Sequence, residues 1–166
     1  MPELETQIQQ VLSLLLEAEI RFVVIGGAAM ILHGSDHITQ DIDFSYSRDS
    51  NNLRTLARVL SGQKAKLRGV PEDVPSVLDE YTFRNVQNLT LDTNLGAIDL
   101  LAVPDGVDSF EGLWERAKEM SFGVHQIRVA SLDDLIAMKR AANRPKDQNH
   151  ILELLALKKL LAEEGR

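Results

Sequence analysis

Residues 26–46 read GGAAMILHGSDHITQDIDFSY: a glycine pair, a run of small and helix-forming residues, then two aspartates flanking one isoleucine. Immediately before it, RFVVI (21–25) is short, β-branched and apolar, as a buried strand is. Gly26 and Gly27 end that strand, and Ala28 to Leu32 can continue as a helix, giving strand, tight glycine turn and helix. DIDFSY (41–46) alternates as a second strand. Side chains on a strand alternate faces, so Asp41 and Asp43 project together while Ile42 and Phe44 point to the core. Two carboxylates that close repel unless a cation lies between them. Oxygen-only ligands of this kind suit Mg²⁺ or Mn²⁺, which keep several waters and complete their shell with substrate phosphates. The other reading of a bare Asp-x-Asp is one aspartate capping a turn and the other solvated at a strand edge.

Outward from this stretch, a third carboxylate shows the same tension. Asp99 sits in GAIDLLAV, where Ile98, Leu100 and Leu101 are apolar and an unpaired charge would cost several kcal/mol. A metal shared with Asp41 and Asp43 would offset that cost; a buried salt bridge to an arginine would do so equally. Three carboxylates from two neighbouring strands are what two-metal phosphoryl or nucleotidyl transfer requires. A glycine turn opening a helix lets backbone N–H groups approach a phosphate closely, with a favourable helix dipole. Gly27 and Asp41 are separated by thirteen residues.

The remaining chain supplies the frame. Leu4, Ile8, Val11, Leu12 and Leu15 share one face of a helix expected over 3–19. Leu53, Leu56, Ala57 and Leu60 mark a helix over 51–60. Residues 61–80, with two glycines and two prolines, read as loop with room for one short strand. Residues 81–103 hold one or two strands, the clearest being 97–103. A helix is expected over 110–120 and a strand over 125–130. Ser131 with Asp134 three residues on opens a helix to about Ala142, and Pro145 suits the first turn of a last helix with Ile151, Leu154, Leu155 and Leu157 buried. The pattern is α/β (α+β): a mixed sheet of four to six strands flanked by helices.

Composition narrows the function. The chain has 166 residues, a net charge of −7 and no cysteine. The charge argues against a general nucleic-acid coat, since such binding is mostly phosphate neutralisation by Lys and Arg. The absence of cysteine excludes disulfides and thiolate zinc sites. No basic n-region or bilayer-length apolar run is present, so a cytoplasmic protein without a membrane span is expected. His33, His37, His125 and His150 show no metal-ligand spacing. Lys64, Lys66, Arg68 and Arg84 are either a nucleic-acid patch or a solvated loop.

VVIGGAAMILHG, TQDIDFSY and the later AIDLLAV together resemble the nucleotidyltransferase superfamily of DNA polymerase β type, whose signature is Gly-Gly or Gly-Ser, a gap, Asp-apolar-Asp and a third carboxylate on a later strand. The tail, LDDLIAMKRAANRPKDQNHILEL, looks like that of AbiEii-type proteins, the toxin half of type IV toxin–antitoxin systems, and of their small bacterial relatives. The resemblance implies a single nucleotidyltransferase-like domain over 1–166, with a helical part over about 131–164. It further implies Asp41, Asp43 and Asp99 as catalytic metal carboxylates, Gly26 and Gly27 as the triphosphate turn, and Lys139 near the nucleotide phosphates. Asp147 would match the acidic residue of the RPKD element. Lys139 also reads as a solvated helix residue, and Asp147 as a first-turn acid favoured by the helix dipole. The implied reaction moves an NMP from an NTP to an acceptor hydroxyl, with Mg²⁺ or Mn²⁺ as cofactor. The acceptor would be an RNA end or a protein, with a cognate antitoxin as partner. Two rivals are a small-molecule nucleotidyltransferase of aminoglycoside type and a non-catalytic binding or antitoxin module.

Overall fold

The computed structural model describes residues 4–75 and 77–165. Seven strands form one mixed sheet: β1 (Phe22–Ile25), β2 (Ile42–Tyr46), β3 (Lys66–Leu67), β4 (Asn88–Thr93), β5 (Gly96–Leu101), β6 (Lys118–Phe122) and β7 (His125–Val129). Seven helices accompany them: α1 (Thr6–Glu17), α2 (Gly26–Leu32), α3 (Ser50–Gly62), α4 (Glu80–Asn85), α5 (Phe110–Arg116), α6 (Leu132–Ala142) and α7 (Pro145–Glu163). The strand order is β3-β4-β5-β2-β1-β7-β6, which puts the Asp43 strand at the centre. β2 runs antiparallel to β1 and parallel to β5. The mixed α/β class expected from the sequence is observed, with one strand more than the upper expectation.

The central strands are apolar because both their faces are covered: Phe22, Val23, Val24 and Ile25 are all buried, as are Ile42, Phe44 and Leu100. Leu4, Ile8, Val11, Leu12 and Leu15 are buried, as their spacing predicts. Residue 3, where the helix was expected to begin, lies outside the described residues. Ser131 Oγ accepts from the Asp134 amide at 3.1 Å and starts α6, which ends at Asn143 in the left-handed region (φ 50°), a conformation asparagine tolerates. α6 and α7 pack against each other. No described helix is long and apolar enough to cross a membrane.

Two expectations are corrected. The helix expected over 110–120 stops at Arg116, and Lys118–Phe122 turns back as β6. Ala117, Lys118, Glu119 and Met120 suit a helix, but pairing with β7 overrides propensity. The hairpin closes through a two-residue turn whose first position, Gly123 (φ 62°), supplies the positive φ such turns need. Of the stretch 81–103, expected to hold one or two strands, β4 and β5 are the strands, while its start lies in α4, where Asp79 Oδ1 accepts from the Thr82 amide at 2.9 Å. On α7, Ile151 and Leu154 are buried, whereas Leu155 is 40% exposed and Leu157 only half-buried.

Candidate active site

Asp43 is set by its neighbours on both sides. It stands opposite Ile25 on β1 and in register with Asp99 on β5, so the last residue before the glycine pair and two carboxylates occupy one level of the sheet. Gly26 follows with φ 65°, a conformation open to glycine. A Cβ there would lie 2.1 Å from Asp43 Oδ2, so the carboxylate rests against bare backbone that any side chain would block. Asp41 lies one residue ahead of β2 and is exposed; the Thr39 hydroxyl donates to its carbonyl at 3.1 Å.

Crowding shows in the electrostatics. The Asp43 carboxyl is pushed up to about 7, first by burial, then by the charge of Asp99 and a hydrogen bond with it, and then by Asp41; Lys139 acts the other way. Asp43 Oδ1 is buried without a hydrogen-bond partner. A buried polar atom left unmatched is uncommon and calls for an explanation.

The expected convergence of three carboxylates is partly realised. Asp43 and Asp99 are neighbours, and Asp41 is close enough for its charge to be felt at Asp43. Among the described residues, however, no three acidic or histidine side chains gather tightly enough to hold an ion by themselves. Asp99 is compensated by an arginine, the second of the two readings open at that residue: Arg68 Nη2 donates to Asp99 Oδ1 at 3.1 Å, while its Nε donates to Asp92 Oδ1 at 3.1 Å. The basic residues of the middle segment are therefore partly spent internally, since Arg84 likewise pairs with Glu80.

Lys139 on α6 and Asp147 on α7 meet. Asp147 is fully buried, and its carboxylate accepts from the backbone amide and guanidinium of Arg144 at 3.0 and 2.9 Å. Lys139 Nζ lies 3.5 Å from Asp147 Oδ1. These donors hold Asp147 well below the usual carboxylate range, the Arg144 side chain contributing most. Asp147 is thus both the N3 member of a capping box on α7 and the counter-ion that orients Lys139. A cleft of about 320 Å³ opens between Lys139 and the sheet, with Gly26, Asp43, Asp105, Lys139 and Arg144 as its polar lining and Leu101, Leu135 and Met138 among its apolar wall. Sequence reasoning missed Arg68 as a partner of Asp99 and the meeting of His37 with His150. Neither has a local signal, since both pairs are made by strand order and by α7 folding back.

A glycine turn beneath paired carboxylates on adjacent parallel strands, with a lysine facing them, is a nucleotidyltransferase architecture, and solved structures share the fold. The lincosamide antibiotic adenylyltransferase LnuA, lincomycin-bound, superposes with a TM-score of 0.62 at 15% identity, covering 95% of this chain and 99% of that one. ANT(2″)-Ia in complex with adenylyl-2″-tobramycin gives 0.58 at 17% identity, over 96% and 90%. An antigenic nucleotidyltransferase-like protein from Paracoccidioides brasiliensis gives 0.52 at 17% identity, over 96% and 79%. No curated relative matches by sequence. The chain belongs to the family described as nucleotidyltransferase of unknown function (DUF6036), whose model matches residues 2–163. It is a nucleotidyltransferase enzyme.

Proposed function

We propose that this enzyme transfers a nucleoside monophosphate from a metal-bound NTP to a hydroxyl of a small-molecule acceptor. The observation that carries the site is Asp43 Oδ1, buried and unpartnered beside Asp99 and over a glycine that cannot bear a side chain. Such an atom, on a carboxyl raised by burial and by its acidic neighbours, fits a hard divalent cation. Asp41, Asp43 and Asp99 would hold Mg²⁺ or Mn²⁺, which supplies charge neutralisation and Lewis acidity at the phosphates.

The chain's own groups do the rest. The Gly26–Gly27 backbone receives the triphosphate, and Lys139, held by Asp147, offsets phosphate charge. Asp99 takes the proton of the acceptor hydroxyl as its oxygen attacks the α-phosphorus; the new O–P bond forms as the bond to the β-phosphate oxygen breaks, and pyrophosphate leaves. A small acceptor is favoured over RNA because Arg68 and Arg84 are engaged by carboxylates, and because the groove continuing past Leu101 and Pro104 to Gln87 and Asn88 carries Asp105 and no lysine or arginine. Relatives of the same fold are described with lincomycin and with adenylyl-2″-tobramycin.

The test is incubation with Mg²⁺, each α-labelled NTP and three acceptor sets: antibiotic panels, total RNA and protein extract. Label moving to a small molecule, with pyrophosphate released and loss in Asp43→Asn, is the expected result. Label in RNA or protein instead would move the assignment to the toxin-type reaction, with a cognate antitoxin as partner. No transfer to any of them would refute the proposal.

A further inference from the structure

Two histidines stand beside the glycine turn and have no part in the chemistry above. His37 lies on the loop from α2 to β2, and His150 lies one turn along α7 from Asp147. Their rings meet edge to face, centroids 5.2 Å apart and planes at 84°. His37 Cδ2 and Nε2 each lie 3.1 Å from where a Cβ on Gly27 would stand, so the imidazole uses space that exists because residue 27 is glycine. The loop is anchored: the His37 amide donates to Ser35 Oγ at 2.9 Å, and the Ser35 hydroxyl donates to Glu153 on α7.

The order of contacts gives the pair a direction. Asp43 abuts Gly26, and His37 abuts the next residue, Gly27. A triphosphate lying along this turn, with its α-phosphate at Asp43 beside Gly26, brings its next phosphates past Gly27 and so to His37. His150 Nδ1 is buried and unpartnered. Burial first, then the charges of Lys139 and His37, keep the His150 imidazole below its ordinary protonation range, which suits a ring held by packing.

We infer that His37 is a phosphate-binding residue, donating from its imidazole Nε2 to the terminal phosphates of the NTP, and that His150 is a positioning residue that fixes the His37 ring. The inference rests on the NTP reading given above and extends it to residues outside the carboxylate and lysine set. Gly27 then has two tasks: it exposes backbone to the triphosphate and it admits the imidazole.

The experiment measures dissociation constants by calorimetry for the full chain with Mg²⁺ and ATP, GTP, CTP or UTP, and for the monophosphate of whichever binds best. His37→Ala is expected to weaken the triphosphate about tenfold, equivalent to about 1.4 kcal/mol, and to leave the monophosphate unchanged, which also reports an intact fold. His37→Gln, which keeps a donor near the Nε2 position, should recover part of the loss. His150→Ala should weaken the triphosphate less than His37→Ala and have no added effect when combined with it, as expected of residues acting through one contact. Triphosphate affinity unaltered by His37→Ala overturns this inference and leaves the NTP reading standing. Equal loss of triphosphate and monophosphate also overturns it, because the ring would then be structural. Wild type that binds none of the four NTPs overturns both.

Discussion

Replacing Asp43 by Asn should stabilise the metal-free protein, by an amount that grows as pH rises from about 4 to 7 and then levels off. In the folded chain the Asp43 carboxyl is raised from 3.8 to about 7, whereas unfolding returns it to its ordinary value. The folded state therefore holds the proton more tightly than the unfolded state between those limits. The stability tied to that proton is fully present below about pH 4 and is lost as pH rises through 7. At 1.36 kcal/mol per pH unit, the full difference is at most about 4 kcal/mol. Asn keeps the shape and removes the charge. Thermal unfolding in EDTA should thus show little gain for Asp43→Asn at pH 4.5 and a gain of several degrees at pH 8, given ~2–4 °C per kcal/mol for a chain of this size. A difference between wild type and variant that stays flat across this range would refute the claim that buried like charges strain the site.

Further outcomes follow from the same geometry. Gly26→Ala should cost about 2–4 kcal/mol in chemical denaturation and abolish transfer, because φ 65° penalises a side chain and the new Cβ would strike Asp43. Arg68→Ala should lower metal-free stability by no more than about 1 kcal/mol, since Arg68 is substantially solvent-exposed, yet reduce the Mg²⁺ concentration at half-maximal stabilisation by removing a competing cation from Asp99. Asp147→Ala should cost about 3 kcal/mol, because it strands the largely buried Lys139 and unties the start of α7. The stability contributed by Asp147, whose carboxyl is held low, is present above about pH 4 and disappears as pH falls further, so the deficit of the variant should shrink in acid titrations.

Much of this site was legible because its determinants are local. A β-branched run ending at Gly26, and Asp41 and Asp43 flanking one buried isoleucine, declare a strand, a turn and a second strand with a shared polar face. The pairing of Asp43 with Asp99 required only that the two strands be neighbours. What the sequence left unread depends on contacts made at long range. Arg68 reaches Asp99 because β3 lies on β4, and no spacing announces that. The β6 strand was hidden by helix-forming residues whose partner strand decides their conformation. His37 and His150 lack ligand spacing because they meet only when α7 packs beside the glycine turn.

Differential scanning fluorimetry with NTP is the sharpest check on the proposal that Asp43 and Asp99, over the glycine turn, form a metal-dependent NTP site. If the claim holds, at least one NTP at a hundredfold excess over its Kd stabilises wild type by RT ln(1 + [L]/Kd), about 2.7 kcal/mol or some 5–10 °C, when Mg²⁺ or Mn²⁺ is present. The shift vanishes in EDTA and in Asp43→Asn, which should remain folded. A shift of equal size without metal, an unchanged shift in Asp43→Asn, or no shift with any of the four NTPs would contradict it.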